Sequence, residues 1–185
     1  MSVIVSIVIV VLLVIVVISL YNSMVKLRNN RENAFADIDV QLRQRHDLIP
    51  QLVETVRGYA KHESSTLQAV VEARNGAMQA TSIDEKIAAE NKLSSALQGL
   101  KVTVERYPDL KANQNFMHLQ EEVSDVENKL AASRRFFNSA TKEYNNRIQT
   151  FPANILAGMF NFRKETFFEL GAERAAVSEV PKIQF

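Results

Sequence analysis

The chain has 185 residues, 46% hydrophobic and 23% charged, with a formal net charge of +1. That length allows one domain with an appendage, and the near-neutral balance removes the electrostatic case for a nucleic-acid binder. There is no cysteine, which excludes disulfides, thiol catalysis and cysteine-ligated zinc or iron–sulfur clusters together. Five glycines and four prolines favour long helices over a turn-rich β fold.

The chain opens on SVIVSIVIVVLLVIVVISL, residues 2–20, which carry no charge. About 20 apolar residues at a rise of 1.5 Å cross a hydrocarbon core of roughly 30 Å. A cleaved signal peptide wants a basic leader, a shorter apolar run and a small-x-small cleavage site. Here only Met1 precedes the run and no A-x-A adjoins its end. A strand of this length would be abnormal. The expectation is a membrane anchor over residues 1–21, with Tyr21 at the interface and Lys26, Arg28 and Arg31 beyond it. Positive charge on that flank predicts the N-terminus outside and the body in the cytoplasm.

The body shows three helical patterns. Apolar residues at Ile38, Leu42, Ile49, Leu52, Val53, Val56, Tyr59, Leu67, Val70 and Val71 make one face, which ends where Thr81 and Ser82 break it. Ser82-Ile-Asp-Glu85 is a capping-box signature for a second helix through Ile87, Leu93, Leu97, Leu100 and Val104, stopped at Pro108. The third has an apolar seam near every 3.5 residues: Phe116, Leu119, Val123, Val126, Leu130, Phe137, Tyr144 and Ile148. Ser133 and Ala140 fill its skipped positions, and Pro152 ends it. Residues 153–170 suit one or two short helices, and PKIQF at 181–185 an extended tail. Each long helix must hide its stripe against others. The expected fold is therefore all-α: an N-terminal transmembrane helix, then an antiparallel up-down bundle over 22–180 with short C-terminal helices.

RHDLIPQLVETVRGYAKHE, residues 45–63, offers the most chemical groups. His46 and His62 are 16 residues apart, about 24 Å and roughly 160° around one helix, so they cannot share a metal there. His62-Glu63 lacks the second histidine of HExxH, and His118 lies on another helix. Glycine-rich phosphate loops, G-x-S-x-G elbows and paired carboxylates are absent from the sequence. No enzyme, metal or cofactor is expected, and no small-molecule substrate. The charged groups suit an exposed face with Arg43–Asp47 and Glu54–Arg57 pairs. The alternative is a polar docking surface, for which Arg43, Arg45, Asp47 and Glu54 are the candidates. Pro50 cannot donate to the carbonyl of His46, so the helix kinks there or a new one starts with Asp47 as its cap.

Six of the ten phenylalanines lie from Phe151 onward. They either cap a core or form a contact surface for self-association or for membrane, with Phe160, Phe162, Phe167, Phe168 and Phe185 as the candidates.

Several segments resemble the bacterial LemA family: RQRHDLIPQLVETVRGYAKHE at 43–63, EARN at 72–75, YPDLKANQNFMHLQEEVSDVENKLAASRRFFN at 107–138, YNNRIQTFPANILA at 144–157 and the terminal PKIQF. The resemblance covers nearly the whole chain and implies a single-pass membrane protein with a helical bundle. It supplies no catalytic residues. It associates the chain with envelope and membrane-stress maintenance, including HtpX-type membrane zinc proteases, and with a relative that serves magnetosome membranes. The implied role is a non-catalytic membrane adaptor or scaffold; the alternative is a self-assembling homo-oligomer that organises membrane patches.

Overall fold

The structure is a computed structural model that describes residues 1–169. Those residues contain helices and no strand, in the order α1 (Ser2–Tyr59), α2 (Ser64–Gln79), α3 (Ile83–Val104), α4 (Pro108–Lys111), α5 (Gln114–Gln149) and α6 (Ala153–Met159).

The apolar run and the first part of the body share one 58-residue helix, α1. This helix is long and apolar enough to cross a membrane. From Val3 to Ile18 its large aliphatic side chains are 39–69% exposed. A core helix of a soluble protein would hide such a surface, so these side chains need an apolar surrounding that the other described residues do not supply.

Pro50 lies inside α1. No new helix starts at Asp47. The break comes ten residues after Pro50, where Ala60–Glu63 form a turn closed by the Glu63 N–H donating to the Ala60 carbonyl (3.1 Å). Val56, Ala60, Leu67 and Val70 are all buried in one cluster. The stripe thus runs across the turn in phase, which is why periodicity alone reads one helix through 38–80.

At α3 the capping box forms as its sequence demands. The Glu85 N–H donates to Ser82 Oγ at 3.2 Å, and the Ser82 N–H donates to the Glu85 carboxylate at 3.1 Å. Each bond satisfies a backbone or side-chain group that would otherwise be left at the helix end. Pro108 opens the single-turn helix α4 after α3 has ended at Val104.

The described chain divides into two compact units, each using part of α1 and part of α5. One comprises Ile38–Ala132 and the segment from Phe168. Within it Asp39 meets Lys86 and Arg45 meets Ser94, so α1 and α3 run parallel. Arg74 meets His46, which sets α2 antiparallel to α1. Tyr59 meets Asn113 and Arg45 meets Glu127, so α5 also returns against α1. That is up-down-up-down, around a core including Ile49, Val53, Val56, Leu93, Leu100 and Phe116. Fully burying side chains of this size contributes roughly 1.5–3 kcal/mol each.

The other unit comprises Met1–Asp37 and Ser133–Phe167. Here α1 and α5 are antiparallel, since Arg31 bonds Thr141 and Phe35 stacks edge-on against Phe137. Met24, Tyr144, Ile148, Ala153, Leu156 and Ala157 form its core, with Leu20, Leu27 and Phe162 packed on it. The end of α6 is set by one left-handed residue. Asn161 has φ 58°, a region asparagine tolerates better than most. That turn lets the Phe162 N–H donate to the Ala157 carbonyl at 2.9 Å, a Schellman closure. Beyond it, residues 161–169 are not helical, so the stretch 153–169 contains one short helix, Ala153–Met159.

After α6 the chain becomes a strap held by side chains. Tyr144 Oη donates to the Arg163 carbonyl (3.0 Å), and the Asn145 amide both donates to and accepts from the Glu165 backbone (2.9 Å each). Arg31, only 3% exposed, reaches Thr141, the Thr166 carbonyl and the Glu165 carboxylate, with its guanidinium 4.8 Å from the Phe137 ring centroid. Arg31 is therefore an internal fastener and not one of the charges flanking the anchor.

The C-terminal phenylalanines split. Phe168 is buried and Phe162 and Phe167 are half-buried, whereas Phe160 and Phe151 are exposed. Phe168 is core, which removes it from any contact surface. Phe185 and the tail at 181–185 lie outside the described residues.

Candidate functional site

In the unit built on Ile38–Ala132, α1, the end of α2 and the start of α3 border a cleft of about 360 Å³. Its rim carries Asp39, Arg43, Asp47 and Lys86, with Leu42, Ala77 and Met78 beside them. Asp39 joins α1 to α3 by accepting from Lys86, and accepts also from Arg43 one turn along α1 (2.9 Å). Burial opposes its charge, but the Lys86 ammonium and Arg43 guanidinium outweigh that and hold the carboxyl below the ordinary aspartate range.

His46 and Glu90 line the cleft from below. Glu90 is 1% exposed. Its Oε1 lies 2.6 Å from His46 Nε2, and its Oε2 accepts from Arg45 at 2.9 Å. Arg45, 3% exposed, also donates to Ser94 Oγ at 2.9 Å and pairs with Glu127 at 2.8 Å. A carboxylate at this depth is tolerable only because both oxygens are engaged. The network is incomplete at one atom: Arg45 Nε is buried with no hydrogen-bond partner among the described residues.

Pro50 explains a further member. The His46 carbonyl, denied its intrahelical partner, accepts from Arg74 Nε at 2.7 Å. One residue thus contributes its imidazole to Glu90 and its backbone oxygen to α2.

The exposed positions expected for docking separate accordingly. Arg43, Asp47 and Glu54 are exposed. Steps of four and seven residues keep them on one side of α1. Arg45 is not on that surface; it points into the bundle, because 45 and 46 continue the stripe between Leu42 and Ile49. Arg43 pairs with Asp39, four residues earlier, in place of Asp47. The Glu54–Arg57 pair forms, at 2.7 Å.

His62 and His118 are exposed or nearly so at the surface; His118 pairs with Glu122 at 3.3 Å. Among the described residues no three His, Cys, Asp or Glu side chains converge as a metal site would require. The hydroxyl in the buried network, Ser94, bonds the Arg45 guanidinium, an arrangement that fixes side chains without activating a nucleophile. What the site can do is hold four helices in register and present mixed charge at its rim.

Glu90, Arg74, Ser94 and Glu127 are not among the residues singled out by motif or periodicity. Glu90 carried a legible signal all the same. It occupies the stripe position between Ile87 and Leu93 or Ser94 on α3, where an apolar residue is expected.

The model of the LemA family matches residues 34–185. This chain belongs to the LemA family. The Protein LemA of Metamycoplasma hominis is 24% identical over 152 residues, covering 80% of this chain and 68% of that protein. Magnetosome protein MamQ of Magnetospirillum gryphiswaldense is 22% identical over 174 residues, and MamQ 2 of Paramagnetospirillum magneticum is 22% identical over 175. Each of these matches covers 80% of this chain, which spans 64% of the length of each MamQ, just under two thirds. The apolar N-terminal helix together with these relatives suggests a membrane-associated protein of this family.

Proposed function

We propose that this LemA-family chain is a non-catalytic, membrane-anchored adaptor whose α1 presents Arg43, Asp47 and Glu54 to a protein partner of the bacterial envelope. The partner suggested by the family resemblance is an HtpX-type membrane zinc protease. The observation that carries the reading is the exposure of these three charges on one side of a helix whose other side is fixed by the buried Arg45–Glu90–Glu127 network. A rigid helix carrying mixed surface charge favours recognition and partner choice. Tethering in the membrane plane raises the effective concentration of such a partner. Lys26 and Arg28 next to the apolar run support a cytoplasmic body under the positive-inside rule.

The test is co-purification of the protease with the full-length chain from native membranes. Arg43→Glu with Asp47→Arg and Glu54→Lys should abolish the association while leaving the thermal unfolding midpoint near that of the parent. Equal recovery of the protease with the triple variant overturns the proposed surface. Its failure to co-purify with the parent overturns the partner.

Similarity to the MamQ proteins of magnetosomes supports a second reading, a homo-oligomeric organiser of membrane patches. A large homo-oligomer without a partner in mild detergent would favour it.

A further inference from the structure

We propose that α6 is a second membrane contact, lying in the interfacial layer of the bilayer beside the point where α1 emerges. The inference rests on α1 being the anchor.

One side of α6 is accounted for by the core: Ala153, Leu156 and Ala157 are buried against α1 and α5. The other side, with the residues flanking the helix, is open and mainly apolar, Asn154 being its exposed polar side chain. Phe151 is 76%, Ile155 57%, Met159 73% and Phe160 51% exposed. Water is a poor surrounding for a contiguous face of this kind.

The position of α6 along α1 names that material. Phe160 and Phe162 stack edge-on against Tyr21, with ring centroids 5.0 and 5.7 Å apart. Tyr21 comes directly after the uncharged run that ends at Leu20, and Leu20 itself packs on the α6 core. The open face is therefore continuous with the surface that the anchor shows to lipid. Aromatic side chains favour this depth, where one edge is apolar and the other wet.

The charges fit the same plane. Lys26 lies five residues beyond Tyr21, about 7.5 Å along the axis, and the headgroup layer is roughly 5–7 Å thick on each side. Lys26, Arg163 and Lys164 are exposed, on the α1 and strap segments that flank α6. A face of phenylalanine, isoleucine and methionine bordered by cations suits an anionic lipid surface.

The chain contains no tryptophan, so a single introduced one reports its own site. Met159→Trp and Phe160→Trp would be made in the full-length protein, each at an exposed position, and reconstituted in phosphatidylglycerol-containing vesicles. Lipids nitroxide-labelled near the headgroup supply the quencher. Phe136→Trp is the aqueous reference, since Phe136 is exposed and its neighbour Phe137 meets Phe35, about 21 Å along α1 from Tyr21. Leu12→Trp, read with a deep-labelled lipid, reports the anchor. The expected result is blue-shifted emission and several-fold stronger lipid quenching at 159 and 160 than at 136. Emission and aqueous iodide quenching equal to those of Phe136→Trp would overturn the proposal. A blue shift without lipid quenching would also overturn it, by showing the face covered by another copy. Loss of quenching at 12 would overturn the anchor reading and this one together, whereas quenching at 12 but not at 159 or 160 would remove only α6.

Discussion

The guanidinium of Arg74 lies 2.7 Å from the carbonyl oxygen of His46. That oxygen is the one which Pro50, lacking an N–H, leaves without a partner inside α1. A proline in one helix and an arginine on the next thus form a complementary set separated by 24 residues in sequence.

The two positions should therefore be coupled energetically. Arg74→Ala leaves a part-buried carbonyl short of its donor and is expected to cost about 1–3 kcal/mol. In a Pro50→Ala background the intrahelical bond becomes available, and the same substitution should cost distinctly less. Denaturant unfolding of the four proteins in detergent gives the coupling. Equal costs in both backgrounds would show that Arg74 does not compensate for the proline.

Glu90 offers a sharper test of the buried network. Glu90→Ala removes the carboxylate that His46 and Arg45 share, leaving Arg45 only Ser94 and Glu127, and removing one member of a buried ion pair costs about 3–5 kcal/mol. Replacing Glu90 by Leu and Arg45 by Met together should recover much of that stability, because an apolar set of similar volume carries no desolvation cost. A double variant less stable than Glu90→Ala would count against this account.

Acid should weaken the start of α3 through Glu85. Backbone hydrogen bonds from Ser82 and Thr81 hold its carboxyl down from 4.5 to about 2. A depressed folded-state pKa means that the charged form is the one the fold favours. Its contribution is then complete above the unfolded value and is lost as pH falls through the folded one. The stability advantage of the parent over Glu85→Ala should be constant near neutrality and shrink between pH 4.5 and about 2, measured by thermal melts at each pH. An advantage that grows on acidification has the wrong sign for a capping carboxylate.

The strap after α6 should loosen when Asn145 is shortened. Its amide occupies both the N–H and the carbonyl of Glu165. Asn145→Ala should raise the hydrogen-exchange rate of the Glu165 amide while α3 amides remain protected. Asn145→Asp should also fail, because a carboxylate keeps the acceptor and loses the donor. Unchanged exchange at Glu165 in both variants would rule out the clamp.

The legible parts of the fold were those where one local rule acts alone. The uncharged run, the capping box at Ser82 and Glu85, and the seam from Phe116 to Ile148 needed no partner to be recognised. The turn at Ala60–Glu63 escaped because the apolar stripe stays in phase across it, and periodicity reports phase and not continuity. Arg31, Arg45, His46 and Glu90 all occupy places where a stripe would carry an apolar residue. A charge in that position is a visible anomaly, but its partner lies on another helix at no fixed spacing. Sequence alone therefore flags such a residue without saying whom it meets. Reading Arg45 with its exposed neighbours Arg43 and Asp47 put it on the wrong side of the helix for that reason.

The open side of α6 has a practical corollary for how this protein is handled. Any version of the chain cut after Leu20 to make it water-soluble keeps Phe151, Ile155, Met159 and Phe160 while losing the bilayer that would cover them. Such a fragment is expected to stick to itself through that face, in a concentration-dependent and detergent-sensitive way. Particle sizes measured on it would describe the cut, and the assembly state in the membrane has to be read from protein that still carries its apolar N-terminal run.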